Sequence, residues 1–195
     1  DMNYYVINLD RRVDRWMYIS GELARVGIEA TRFPAVDAKP GWHGCRESHL
    51  SLMDMCKKEV VFVILEDDVQ FLWENPLEWI ELALEELPLE WDCLYLGASP
   101  KEPQVRYSEC LFELKNAHVT HAIIWHVREG GAVEYILEHR REINKIDDYF
   151  ATVIQPNFNC FVTYPMIATQ IQTQSDTCSR SDVSTILTNY NRFCK

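Results

Sequence analysis

Val60-Val61-Phe62-Val63-Ile64-Leu65-Glu66-Asp67-Asp68-Val69 decides the fold. Six apolar residues, four of them β-branched, run unbroken into three carboxylates. Such a run predicts a strand buried on both faces, as in the middle of a parallel sheet. The acidic triplet then falls at the strand's C-terminal end, the edge where open α/β sheets bind ligands. Three adjacent carboxylates repel one another, and a divalent cation neutralises them. Oxygen-rich sites suit Mg²⁺ or Mn²⁺. The plainer alternative is a solvated turn.

Outward from this strand, the periodicity alternates between strand and helix. Tyr4 to Leu9 reads as a strand, followed from Asp14 by a helix with Trp16, Ile19, Leu23 and Val26 at helical spacing and Gly27 as its stop. Thr31 to Val36 predicts a second short strand. A helix is expected from Gly44 to about Lys58, and another opens at Asn75-Pro76 and ends at Pro88. Strands are expected at Trp91 to Gly97, Cys110 to Leu114, Val119 to Val127 and Phe158 to Tyr164, with a helix over 128–141. Pro165 to Lys195 is polar, and few regular elements are expected there. This pattern predicts an α/β protein: one domain over 1–195, with a mixed, mostly parallel central sheet and helices on both faces.

The bulk numbers bound the function. The 195 residues are 47% hydrophobic, and 30 acidic against 19 basic side chains leave a net charge of −11. That balance argues against nucleic acid or an anionic membrane as partner. No apolar run reaches the length of a membrane span. The seven cysteines form no CxxC and no metal spacing. They read mostly as buried thiols of a reducing, cytoplasmic compartment, with a bridge among Cys160, Cys178 and Cys194 as the alternative. An ER or Golgi lumen is the alternative location if a signal segment precedes Asp1.

Two further clusters stand out. Arg11, Arg12 and Arg15 gather where the first strand ends and its helix begins. Guanidinium groups there suit a diphosphate, and ordinary surface pairing with Asp10 and Asp14 explains them equally well. Asp147 and Asp148 form a second acidic point at an expected helix start. Asp147 reads as an N-cap, with Asp148 in the first turn. His49 either touches a ligand or is a packed or capping residue.

Taken together, Ile7-Asn8-Leu9-Asp10-Arg11-Arg12-Val13-Asp14-Arg15, Gly44-Cys45-Arg46-Glu47-Ser48-His49 and Leu65-Glu66-Asp67-Asp68-Val69 resemble the "INLDRRxDR", "GCxxSH" and "LEDDV" motifs of the lipopolysaccharide-biosynthesis glycosyltransferases. That family also includes the procollagen galactosyltransferases. His121-Ala122, Gly131-Ala132, Ile146-Asp147, Pro165 with Gln170, and Ser175-Asp176 follow in the family's order. The resemblance implies a GT-A fold, with a nucleotide-binding half over about 1–98 and an acceptor half over about 99–195. It further implies a UDP-sugar donor, Mn²⁺ or Mg²⁺, a glycan or glycoprotein acceptor, and inversion at the sugar carbon. In that frame Asp68 is the direct metal ligand, and Glu66 serves the metal, its water or the ribose. Asn8, Leu9, Arg11, Arg12, Arg15, Ser48, His49 and Asp67 surround the donor, and Asp37 meets uracil or ribose. Asp148 is the expected base, with Asp147 and Asp176 as alternatives. Two other classes share these features: a donor-binding domain without turnover, and a Mg²⁺-binding receiver domain.

Overall fold

The computed structural model describes residues 2–171 and 183–195. The chain runs β1 (Asn3–Asn8), α1 (Val13–Val26), β2 (Ala30–Pro34), α2 (Gly41–Cys56), β3 (Val61–Glu66), β4 (Val69–Phe71), α3 (Pro76–Glu85) and β5 (Cys93–Tyr95). It continues through β6 (Ser99–Pro100), β7 (Val105–Arg106), β8 (Leu111–Glu113), β9 (Ala117–His118), β10 (Ala122–His126) and α4 (Ala132–Glu138). Then come α5 (Ile146–Tyr149), a π-helical turn (Phe150–Ile154), α6 (Gln155–Asn157), β11 (Cys160–Thr163), β12 (Ala168–Gln170) and α7 (Val183–Phe193).

Eight strands form the central sheet in the order β2-β1-β3-β10-β5-β11-β8-β7. Only β10 and β8 run against the other six, so the sheet is mostly parallel in direction. β3 lies inside it, and Phe62, Val63, Ile64 and Leu65 have no exposed surface. Alternation splits them between two cores. Phe62 and Ile64 join Leu52 and Met53 of α2, Val133 of α4, Phe150, and Ile186 and Tyr190 of α7. Val63 and Leu65 join Ile19 and Leu23 of α1 and Ile80 of α3 on the other face. Each such side chain contributes about 1.5–3 kcal/mol on burial. Helices therefore cover both faces, as the unbroken apolar run requires.

Several boundaries differ from the sequence reading. Val60 is mostly exposed and lies outside β3. The expected strand Val119 to Val127 is broken into β9 and β10, because Val119 takes a left-handed backbone at φ 74°. Asp67 and Asp68 form a turn, and Val69 to Phe71 after it is a strand that the sequence reading lacks, since it pairs with β12, a partner about a hundred residues away that no local pattern reveals. The region after Pro165 also holds α7, whose Ile186 and Tyr190 stand one turn apart and pack into the core. The helix expected over 128–141 is shorter, beginning at Ala132, where Asp92 Oδ1 accepts the Ala132 N–H at 2.9 Å. Cys45, Cys56, Cys93, Cys110, Cys160 and Cys194 are free thiols, so Cys160 and Cys194 are not bridged, and Cys178 lies outside the described residues.

Candidate active site at the carboxyl edge of the sheet

β1 and β3 are parallel neighbours, with Ile7 beside Glu66. Their polar exits therefore leave the sheet side by side, and the acidic triplet meets the start of α1. Asp67 accepts Asn8 Nδ2–H at 2.7 Å and Arg15 Nη1–H at 2.8 Å. Burial still pushes its carboxyl above the usual value, against the pull of these donors. Asp67 thus ties the end of β3 to β1 and α1. Arg15 is itself buried, and its Nη1 also lies 3.6 Å from Asp68 Oδ2.

Glu66 and Asp68 are placed differently. Glu66 Oε1 accepts the Thr120 hydroxyl at 2.6 Å and sits 3.1 Å from His49 Nε2. Burial works to raise the Glu66 carboxyl, but the His49 and Thr120 interactions win and hold it below its ordinary value. Asp68 Oδ1 accepts from Gln170 Nε2 at 3.1 Å, and the Arg15 guanidinium stands beside its Oδ2. Burial and then the Glu66 charge push Asp68 up to about 7, against Arg15 and Gln170. Removing water from two neighbouring carboxylates costs more than one shared guanidinium returns.

The triplet opens on a cavity of about 390 Å³. Leu9, Arg11, Arg15, Asp37, Lys39 and Trp42 line it. Cys45, Ser48 and His49 of α2 stand over Glu66, and Val119, Thr120, Lys145, Ile146, Asp147 and Gln170 complete the lining. Ser48 fixes the α2 wall, because its hydroxyl accepts Val36 N–H at 2.8 Å and donates to Gly44 O at 2.7 Å. Gly44 is required there, as any Cβ would collide with Val36 O. Burial drives the Cys45 thiol well above its ordinary value, helped by the Glu66, Asp147 and Asp68 charges.

Of the residues expected at the site, Leu9, Arg11, Arg15, Asp37, Ser48, His49, Glu66, Asp67, Asp68 and Asp147 line this cavity. Arg11 Nε–H donates to Asp37 Oδ2 at 2.9 Å, so two residues assigned separately to the donor form one exposed pair at the mouth. Asn8 is buried beneath the cavity, where it holds Asp67 and accepts Arg32 Nε–H at 2.9 Å. Arg12 is not among the residues lining the cavity, and it pairs with Asp14 at 2.8 Å. Ser175 and Asp176 lie outside the described residues.

The second acidic point changes its roles. Lys145, not Asp147, is the N-cap residue of α5, and it makes no side-chain cap. The helix starts earlier because Ile146 is buried in the core. Both aspartates therefore lie in the first turn. Asp147 faces the cavity, while the more exposed Asp148 has its Oδ1 3.5 Å from His118 Nδ1. Burial and then Lys101 lower the His118 pKa, against Asp147 and Asp148. Thr120, Trp42 and Lys145 carried no signal in the sequence. Gln170 was marked only by its place in the motif order.

No protein-family model matches the chain, and no curated protein sequence matches it. Solved structures do. A glycosyltransferase involved in glycosylation of the major capsid of PBCV-1 superposes with a TM-score of 0.51 at 8% identity, over 83% of this chain and 80% of that one. A mutant Drosophila β-1,4-galactosyltransferase 7, in complex with manganese, UDP-Gal and xylobiose, gives 0.48 at 11% identity over 93% and 76%. A CMP:2-keto-3-deoxy-manno-octonic acid synthetase complexed with CTP gives 0.43 at 12% over 85% and 75%. At 8% identity the likeness to the first of these is one of fold, and the fold is the GT-A type of α/β architecture, with a mostly parallel sheet between helices.

Proposed function

We propose that the protein is a metal-dependent glycosyltransferase that moves a hexose from a UDP-sugar to a hydroxyl of a glycan or glycoprotein, with inversion. The sequence resemblance to the lipopolysaccharide-biosynthesis and procollagen galactosyltransferase family supports this reading, as do the free thiols for a reducing, cytoplasmic setting. One observation carries it: Asp68, half-buried beside Glu66 at the carboxyl edge of β3 and pushed up to about 7, lines the cavity.

Asp68 and Glu66 fit Mn²⁺ or Mg²⁺, because both offer carboxylate oxygens to a hard cation. When bound, such a cation stabilises the leaving diphosphate as a Lewis acid. The chain's own residues do the rest. Arg11 and Lys39 line the cavity with Asp37 and bring positive charge to an anionic donor. Asp67 keeps Arg15 and Asn8 in register beneath the donor. Asp147 is the base. It lines the cavity at the start of α5, far in sequence from the Arg11–Asp37 pair. As the acceptor oxygen bonds to the anomeric carbon and the bond to UDP breaks, the hydroxyl proton passes to Asp147.

The test is a thermal-shift screen of nucleotide sugars with Mn²⁺ or EDTA, followed by an assay of donor hydrolysis. A ligand that binds only the folded chain raises Tm by mass action. A Tm rise with UDP-sugars that requires Mn²⁺ supports the proposal, and an equal rise in EDTA overturns metal dependence. Hydrolysis of the bound donor separates an enzyme from a binding-only domain.

A further inference from the structure

Cys45, His49 and Glu66 bring a sulfur, an imidazole nitrogen and a carboxylate oxygen within 4.8 Å of one another. We infer that these three residues form a binding site for a thiophilic divalent cation of the Zn²⁺ class. This site stands on its own geometry and does not rest on the nucleotide-sugar reading.

The backbone presents the three groups without rearrangement. Cys45 and His49 are one turn apart on α2, so their side chains share a face. Glu66 ends β3, and its Oε1 already lies 3.1 Å from His49 Nε2. α2 cannot slide, because Gly44 packs directly on the Val36 backbone and Ser48 brackets the same contact. The Thr120 hydroxyl orients Glu66 from the other side, as outer-shell partners of metal ligands do. All three residues line the cavity, which leaves a fourth position open to water.

The donor set selects the cation. Mg²⁺ and Mn²⁺ favour oxygen, whereas mixed sulfur and imidazole ligands favour Zn²⁺. Zinc bonds of roughly 2.0–2.3 Å set tetrahedral ligand atoms about 3.3–3.7 Å apart, so the three groups need to draw together by about 1.5 Å at most. Binding releases the thiol proton as the Cys45 sulfur bonds to the cation. It also places the imidazole hydrogen on His49 Nδ1, which is buried and has no acceptor among the described residues. The site therefore binds more weakly than one whose outer shell is complete. Zn²⁺ here takes Glu66 away from any Mn²⁺ shared with Asp68, so the two cations compete.

The experiment titrates the full chain with Co²⁺ as a spectroscopic stand-in and then displaces it with Zn²⁺. The wild type is expected to show one equivalent of thiolate-to-cobalt charge-transfer absorption, bleached by Zn²⁺. Cys45→Ser and Cys45→Ala should lose that band. Cys56→Ser and Asp68→Asn should keep it, since Cys56 is outside the cluster and Asp68 belongs to the oxygen site. Circular dichroism establishes that each variant is folded. Should either Cys45 variant misfold, Glu66→Gln serves instead and should weaken Co²⁺ binding by about 10-fold or more. Absence of the band in the wild type overturns the inference, as does its persistence in Cys45→Ser. Loss of Mn²⁺-dependent UDP binding in Asp68→Asn with the cobalt band intact leaves this site standing, whatever becomes of the glycosyltransferase reading.

Discussion

The Thr120 hydroxyl donates to Glu66 Oε1 at 2.6 Å, and it does so from the residue after Val119, whose φ of 74° is unusual for a β-branched side chain. The same bend carries His118 to Asp148 on its other side. Strained backbone of this kind costs about 1–3 kcal/mol and persists where the surroundings hold it. Thr120→Val removes the hydrogen bond and keeps the shape. Mn²⁺-dependent donor affinity is expected to fall by about 10- to 100-fold, as for lost outer-shell partners. Calorimetry with UDP and Mn²⁺ measures this. Wild-type affinity in the variant would show that Thr120 only packs.

Asp147 and Asp148 both lie within 4.8 Å of His118, but only Asp147 lines the cavity, so their variants should differ. Asp147→Asn is expected to cut the transfer rate by about 10²–10⁴-fold with donor Kd nearly unchanged, because the base acts on the acceptor. Asp148→Asn should leave turnover close to wild type, since its partner is His118 at 3.5 Å. Rates and donor Kd for both variants decide between them. The reverse pattern would return the base to Asp148.

Asp68 gives a pH dependence of defined sign. Its folded pKa of about 7 lies above the unfolded value of about 3.9. The folded state therefore holds the proton more tightly. That contribution to stability is full below the unfolded pKa and is lost as pH rises through 7. Asp67, also raised, acts in the same direction. His118 and His121, both lowered chiefly by burial, act in the opposite one. The comparison is thus between wild type and Asp68→Asn. In EDTA, wild-type Tm should fall relative to Asp68→Asn between pH 5 and pH 8, and Mn²⁺ should abolish the difference in slope. Parallel profiles in EDTA would mean that Asp68 titrates normally.

Asn8 gives a stability test away from the chemistry. Its amide satisfies buried Asp67 and also accepts from Arg32. Asn8→Ala leaves a buried carboxylate one donor short, which costs about 1.5–3 kcal/mol. Urea unfolding reads this directly. A loss below about 0.5 kcal/mol would mean that Arg15 alone satisfies Asp67.

The residues from Val60 to Val69 determined the sheet, its two-sided burial and the acidic edge, because strand formation and burial follow from local periodicity. The helix stripes of α1 and α3 were legible for the same reason. Tertiary structure decided what each carboxylate does. Thr120 and Gln170 reach Glu66 and Asp68 from 54 and 102 residues away, and such pairings leave no local trace. Asp147 faces the cavity because burying Ile146 starts α5 before it, and that depends on a core assembled from distant elements. Arg12 and Arg15 look alike in sequence. Arg12 precedes α1 and meets Asp14, whereas Arg15 lies within α1 and is buried against Asp67 at the end of β3.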